Sequence, residues 1–181
     1  MVLSPPSLVA RAAGSRVTGT TYQTDVTNAV NFLANPPIAT LLQTVSTQTL
    51  TTATWTTLTW DNPASTNMVD TYGGYVPGSS TSRYTAVVAG TYRIRGLANF
   101  IFNNTGIRAT KILKNGTVIQ GSSDRRAAPS ATGSTPTSEW FVSMLVNDYV
   151  EIQAYQSSGG NLATAVDTDA CSSMMVQWIH F

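Results

Sequence analysis

The sequence predicts an all-β protein, a two-sheet antiparallel jelly roll of about eight to ten strands. Strand-like segments separated by turn residues follow one another from residue 38 to the C-terminus. Asn115-Gly116, the dipeptide most typical of a two-residue hairpin turn, stands between two β-patterned runs. Ala89-Gly90 separates two further runs and predicts another hairpin. Successive hairpins at this spacing favour a β-sandwich over an α/β enzyme fold.

Composition narrows the class of protein further. Charged residues make up 10% of the 181 residues, against roughly 25% in ordinary soluble domains. Threonine, which suits exposed strand faces, fills half of the positions from Thr40 to Thr59. The net charge is +1 and the longest basic run is Arg125-Arg126, so we expect no nucleic-acid partner. No apolar run approaches the length of a membrane span, so we expect no membrane partner. The single cysteine, Cys171, predicts no internal disulfide.

Residues 1–38 are predicted to form an N-terminal docking arm, separate from a jelly-roll domain at residues 39–181. The first 16 residues are rich in proline, serine and alanine and show no periodicity. Thr24 is a predicted N-cap, and Asn35-Pro36-Pro37 ends the helix, which gives a short helix at about residues 24–34. Its apolar stripe packs either on the chain's own domain or on a partner, because so short a helix is not stable alone. The stripe consists of Val26, Ala29, Val30 and Leu33.

The β-patterned region divides into strands and loops by its turn residues. Residues 61–82 are expected to form a long loop, with a short strand around Met68-Val69, and residues 121–137 a polar, mobile loop. Predicted strands occupy residues 41–50, 52–60, 84–88, 92–102, 107–113, 117–120, 138–146, 149–156, 162–166 and 173–181.

Several short motifs then occur in the order found in a known superfamily. They are Trp55-Thr56-Thr57-Leu58-Thr59-Trp60-Asp61, Ser82-Arg83-Tyr84, Ala89-Gly90-Thr91-Tyr92, Lys114-Asn115-Gly116 and Val146-Asn147-Asp148-Tyr149-Val150-Glu151. In order and spacing they resemble the jelly-roll superfamily of tumour necrosis factor and the complement globular head. The chain also resembles small virion proteins of actinobacterial phages, which join such a jelly roll to a short N-terminal segment. The residues that carry this second resemblance are Arg16-Val17-Thr18-Gly19, Asn28, Phe32-Leu33 and Asn35-Pro36-Pro37.

These resemblances imply a virion-surface protein without catalytic activity. The superfamily implies a compact homotrimer whose C-terminal strand lies in the sheet that faces the three-fold axis. The phage proteins imply a head decoration or short fibre, or a minor tail protein that touches the host, with the major capsid protein or tail proteins as partners. Docking to the virion is assigned to residues of the N-terminal segment: Tyr22, Val26, Val30, Phe32 and Leu33.

Alternation along two strands predicts which side chains form the trimer interface. Val150, Ile152 and Ala154 should face the core, so the residues between them face outward. The last strand is apolar on both faces, which is typical of a strand that is covered on both faces and favours oligomerisation. The predicted interface residues are Tyr149, Gln153, Tyr155, Met175, Gln177, Ile179 and Phe181.

Few residues could carry chemistry, and we expect no catalytic residue, no metal site and no cofactor. His180, the only histidine, lacks a nearby nucleophile motif, and a strand-edge or interface role is favoured. Asp167 and Asp169, with Asp148, could hold calcium or hydrolyse a glycoside, and their alternative role is that of solvated loop residues. The loop residues Asp61, Asn62 and Asp70 could likewise hold calcium.

An alternative function is a tail-associated, lectin-like adhesin that binds a host surface glycan. Its contact surface would be the loop tips at residues 61–82 and 121–137. Tyr72 and Tyr75 would supply the aromatic residues that a glycan site usually exposes. A polysaccharide depolymerase is a third possibility, and the scarcity of carboxylates argues against it.

Overall fold

The computed structural model describes residues 12–61 and 68–181. Residues 1–11 of the predicted N-terminal arm and residues 62–67 of the first long loop, including Asn62, lie outside the described residues. The described chain contains a short helical segment followed by strands. The strands are β1 (Ile38–Leu42), β2 (Thr49–Leu50), β3 (Thr56–Thr57), β4 (Val69–Asp70), β5 (Arg83–Thr85), β6 (Gly90–Leu97), β7 (Ile107–Lys114), β8 (Thr117–Val118), β9 (Asp124–Ala127), β10 (Thr137–Met144), β11 (Tyr149–Gln156), β12 (Leu162–Ala163) and β13 (Ser173–His180).

Two antiparallel sheets pack face to face, which confirms the predicted jelly roll. The first sheet has the order β10-β6-β13-β1-β4. The second sheet has the order β3-β11-β7-β8, with β5 also paired to β11 and β9 to β7. Strands β2 and β12 form a separate two-stranded ribbon. The described strands outnumber the prediction because several of them are only two residues long.

The core lies between the two sheets and follows the predicted alternation. On β11, Val150, Ile152 and Ala154 are fully buried, and on β13 Met174 and Val176 are fully buried. Burying each of the larger of these side chains, valine, isoleucine or methionine, contributes about 1.5–3 kcal/mol to folding. The period-two pattern of these strands therefore fixes which face of each sheet turns inward.

The Asn115-Gly116 hairpin is confirmed. Strands β7 and β8 pair with Leu113 opposite Val118 and Lys114 opposite Thr117. Asn115 has φ 49° and Gly116 has φ 76°, the left-handed values that a two-residue hairpin turn requires and that asparagine and glycine tolerate best.

The hairpin predicted at Ala89-Gly90 is wrong. Strand β5 pairs with β11 in the second sheet, whereas β6 pairs with β10 and β13 in the first. The chain therefore passes from the second sheet to the first between β5 and β6. Tyr84 and Tyr92 are both fully buried, with ring centroids 6.4 Å apart, and face each other across the sandwich. Alternation assigns each tyrosine to the core face, but it does not say which strand lies beside which.

The threonine-rich strands are much shorter than predicted. Several backbone N–H and C=O groups in this region form hydrogen bonds with side chains instead of with a neighbouring strand. The Asp61 carboxylate accepts from the backbone N–H groups of Thr44 and Val45. The Gln48 side chain donates to the Thr57 carbonyl and accepts from the Thr59 N–H. Such local bonds compete with regular strand pairing.

The polar segment at residues 121–137 contains a strand that the sequence did not indicate. Strand β9 pairs with β7, with Arg125 opposite Ala109 and Asp124 opposite Thr110. The Asp124 carboxylate accepts from the Thr137 N–H at 2.8 Å and so joins the two ends of this segment.

The helical segment is longer than predicted and is packed on the jelly roll. It comprises α1 (Gly19–Tyr22), a π-helical turn (Gln23–Thr27) and α2 (Asn28–Ala34). The N-cap is Thr18, whose hydroxyl accepts from the Thr21 N–H at 3.2 Å, rather than the predicted Thr24. The ring of Phe32 is fully buried, with its centroid 5.0 Å from that of Trp178. Phe32 therefore anchors the helix to the domain.

Asp148 ties the turn before β11 to the β7–β8 hairpin. Its carboxylate lies 2.8 Å from the Lys114 ammonium and accepts from the Asn115 amide and the Leu145 N–H. These hydrogen bonds, with that from Lys114 the largest contribution, lower the pKa of Asp148 from 3.8 to about 2.

Asp148→Asn should therefore lower the thermal midpoint at pH 7. A folded-state pKa below the unfolded value means that the charged carboxylate stabilises the fold above pH 3.8 and that this contribution is lost as pH falls towards about 2. The difference in midpoint between wild type and variant should shrink over that window. Calorimetry across pH checks this, with Asp169→Asn as control, since Asp169 is exposed and has no hydrogen-bond partner among the described residues. A midpoint difference that is independent of pH would contradict the assigned role of the charge.

Candidate functional site

The candidate catalytic residues do not come together. His180 is exposed at the end of β13, where its ring nitrogen contacts the Phe181 carbonyl. Asp167 accepts from the Asn99 amide at 2.9 Å, at the end of the sandwich where β13 begins. Asp148 lies at the opposite end, beside Lys114. In the described part of the chain, no three His, Cys, Asp or Glu residues are grouped so that they could hold a metal ion.

The single cysteine, Cys171, lies in the connection between β12 and β13. Cys171 is half-buried, and its backbone forms an isolated antiparallel β-bridge with Val166. Burial raises the pKa of the Cys171 thiol, which disfavours the reactive thiolate.

Of the helices that the structure describes, none has the length and apolar character to cross a bilayer.

The predicted trimer-interface residues lie on two opposite faces of the sandwich. Tyr149, Gln153 and Tyr155 are half-buried on the outer face of the second sheet. Met175 and Gln177 lie on the outer face of the first sheet, and Ile179 is exposed at the irregularity of β13 between Trp178 and His180. A single sheet facing a three-fold axis includes only one of these sets. Phe181 is 59% exposed, yet its ring stacks on Phe32 at 6.0 Å.

The outer face of the first sheet is amphipathic and has a groove at one edge. Cross-strand registers place Phe141, Arg93, Gln177 and Ile38 in one row across it. A groove of about 270 Å³ lies between β1, β4 and β13, lined by Ile38, Val69, Met175 and neighbouring residues. At the opposite edge, on β10, Phe141 is 61% exposed. Arg93 and Glu139 pair at 2.7 Å beside it.

The helix exposes most of the residues assigned to docking. Tyr22, Val26, Val30 and Leu33 are between 40% and 60% exposed, and their spacing places them along one side of the helix. Phe32, assigned to the same surface, is instead fully buried against Tyr72 and Trp178. Its ring is therefore not available to a partner in this arrangement, and the exposed stripe consists of the other four residues.

The tyrosines expected at the loop tips are also buried. The Tyr72 hydroxyl donates to the Asn35 carbonyl at 3.0 Å, and the Tyr75 hydroxyl donates to the Trp60 carbonyl at 2.8 Å. Each ring is only 4% exposed. These two residues therefore support the structure and do not form the aromatic surface that the adhesin hypothesis assigned to them.

An aromatic–basic cluster on the second sheet was missed by sequence reasoning. Trp55, which precedes β3, has its ring centroid 5.2 Å from that of Tyr155 on β11. The Lys111 ammonium on β7 is 4.0 Å from the Trp55 centroid, and the Arg125 guanidinium on β9 is 6.0 Å from it. The cluster joins four separate chain segments, so no local motif marks it.

Comparison with known proteins identifies the fold. No protein family and no curated protein matches the chain. The globular domain of the zebrafish complement 1qA protein matches with a TM-score of 0.55 and 12% identity, covering 80% of this chain and 98% of that domain. The crystal structure of murine APRIL matches with a TM-score of 0.54 and 9% identity, covering 78% of this chain and 98% of that one. Identities this low show the fold alone, and that fold is the jelly roll that the motif order predicted.

Proposed function

We propose that this chain is a non-enzymatic structural protein of a phage virion, a homotrimer whose first sheet faces the three-fold axis and whose helix attaches it to the particle. The observation that carries the proposal is the amphipathic outer face of the first sheet. Ile38, Val69 and Phe141 are each at least 38% exposed on this face. The virion location rests on the resemblance of the N-terminal segment and motif order to actinobacterial phage proteins.

The two edges of the first sheet offer complementary surfaces. A three-fold ring needs a heterologous contact, in which one patch of a protomer meets a different patch of the next. In this proposal Phe141, on the β10 edge, fills the groove lined by Ile38, Val69 and Met175 of the neighbouring protomer. Repeating that contact three times closes the ring and covers Ile38, Val69 and Phe141 in every subunit.

The exposed helix stripe serves attachment in the same proposal. Tyr22, Val26, Val30 and Leu33 face outward from a helix that Phe32 fixes to the domain. A trimer carries three such stripes. Three weak contacts made together bind far more tightly than one, because the second and third occur at high effective concentration.

Phe141→Glu should convert the trimer to monomers. A buried charge without a partner in the groove costs several kcal/mol at each of three contacts. Light scattering of the full chain at micromolar concentration should give three times the 19.3 kDa chain mass for wild type and the single-chain mass for the variant. Gln153→Glu, on the outer face of the second sheet, is the matched control and should stay trimeric. A wild-type monomer, or equal loss of the trimer in the control, would contradict the assigned interface.

The virion location has a separate test. Immunogold labelling with an antibody to the jelly roll should decorate intact phage particles. Particles assembled with a Val30→Glu, Leu33→Glu chain should lose the label, while that chain stays folded and trimeric, because both side chains are exposed. Label retained by the double variant would refute attachment through the stripe, and unlabelled wild-type particles would refute the virion role.

A further inference from the structure

The aromatic–basic cluster surrounds a depression on the outer face of the second sheet. Register places Tyr155, Ala109 and Arg125 in one cross-strand row over β11, β7 and β9. Ala109, between the two larger residues of this row, is fully buried. Trp55, Ile107, Arg125 and Tyr155 line the depression, which has a volume of about 190 Å³. This is space for about one sugar ring.

Among the described residues, the two cations of the cluster have no carboxylate partner. Neither Lys111 nor Arg125 forms an ion pair with the residues that the structure describes, although Arg126, the next residue on β9, pairs with Asp124 at 2.8 Å. Burial, together with the nearby Arg125 charge, lowers the pKa of Lys111. Two like charges beside one indole ring repel each other, and an anion placed between them would relieve that repulsion.

We propose that this cluster binds an anionic sugar unit of a polysaccharide. The sugar ring lies in the depression against the indole and phenol rings, and its acidic group accepts hydrogen bonds from Lys111 and Arg125. The neighbouring row offers polar groups to sugar hydroxyls, since Gln153 lies opposite Lys111 on one side and Thr57 on the other.

A nucleic acid fits this site less well than a sugar. Its backbone carries a charge at every nucleotide, so a bound strand needs a basic track that continues beyond two residues. The whole chain has 10 Lys and Arg residues against 9 Asp and Glu. The site lies on the sheet opposite the proposed trimer interface, so it stays open in monomer and trimer alike, and the inference does not depend on the proposed function.

Binding is tested with the full chain and defined oligosaccharides. The probes are trigalacturonic acid, a neutral galactose trisaccharide and an oligomer of galactose phosphate, followed by calorimetry and by the Trp55 indole signal in NMR spectra. Trigalacturonic acid, the phosphate oligomer or both should bind at least about tenfold more tightly than the neutral sugar. The better anionic probe tells whether the acidic group is a carboxylate or a phosphate.

Matched variants separate the site from general surface charge. Lys111→Gln and Arg125→Gln should each weaken the better anionic probe about tenfold. Arg126→Gln should leave affinity unchanged, because Arg126 is exposed and lies on the other face of β9. Unchanged thermal midpoints show that the variants stay folded.

Three outcomes would overturn the site. They are equal affinity for neutral and anionic sugars, an equal loss of affinity in Arg126→Gln, and no binding of any probe at about 10 mM. Tighter binding of a single-stranded oligonucleotide that depends on Lys111 and Arg125 would overturn the sugar assignment in favour of a nucleic acid. None of these outcomes depends on whether the chain is a trimer or lies on a virion.

Discussion

Arg108→Ala should lower the free energy of unfolding by about 3–5 kcal/mol, the range for removing a large, fully buried side chain together with its hydrogen bonds. Arg108 is fully buried near the start of β7, a position where arginine is rare. Its guanidinium donates to the carbonyls of Asn103, Thr105 and Ile107 at 2.9 to 3.0 Å. Truncation leaves a cavity and removes the donors of three carbonyls at once.

Two further substitutions separate these causes. Arg108→Met restores much of the volume but none of the donors, so it should recover part of the loss and leave a deficit of about 1–3 kcal/mol. Arg126→Ala removes an exposed arginine of the neighbouring strand and should stay within about 0.5 kcal/mol of wild type. Urea unfolding monitored by tryptophan fluorescence measures all three variants. An Arg108→Ala effect no larger than that of Arg126→Ala would show that the guanidinium does not support the loop.

The core face of each long strand was predictable from the sequence, because alternation is a local property. The aliphatic residues of β11 and β13 face inward as expected, and the Asn115-Gly116 turn has the expected geometry. Alternation carries no information on neighbours, however, and so the same pattern at Ala89-Gly90 was wrongly assigned to a hairpin. The pairing of β5 with β11 depends on contacts between distant segments.

The candidate sites were harder to predict for the same reason. A helical stripe pointed to Val26, Val30 and Leu33, whereas Phe32 lies on the side of the helix that the jelly roll covers. Trp55 and Lys111 are far apart in the chain, and only the pairing of β3, β11, β7 and β9 brings them together. Arg108 is buried on the same side of β7 as Thr110 and Ile112, and nothing nearby in the sequence indicates that the loop folds over its guanidinium.

Gly106→Ala should destabilise the fold by about 3 kcal/mol or more, through two separable causes. Gly106 has φ 77°, which costs an alanine about 1–2 kcal/mol. A methyl group there would also lie 2.0 Å from the Ser157 carbonyl oxygen, a backbone atom at the end of β11. That oxygen cannot move freely, because the Ser157 N–H donates to the Ile107 carbonyl at 3.1 Å and the Ser157 hydroxyl accepts from the Ile107 N–H at 3.0 Å.

Gly159→Ala is the matched control for the backbone cost. Gly159 has φ 90°, and a methyl group there would meet nothing within 4 Å. It should therefore lose only the conformational part, about 1–2 kcal/mol, and the difference between the variants in urea unfolding measures the clash with the Ser157 carbonyl. Hydrogen exchange should localise the damage to the paired ends of β7 and β11 in Gly106→Ala alone. Equal losses of stability in the two variants would mean that the Ser157 carbonyl moves aside at little cost. The close packing of the 103–107 loop on the end of β11 would then not be a stabilising feature.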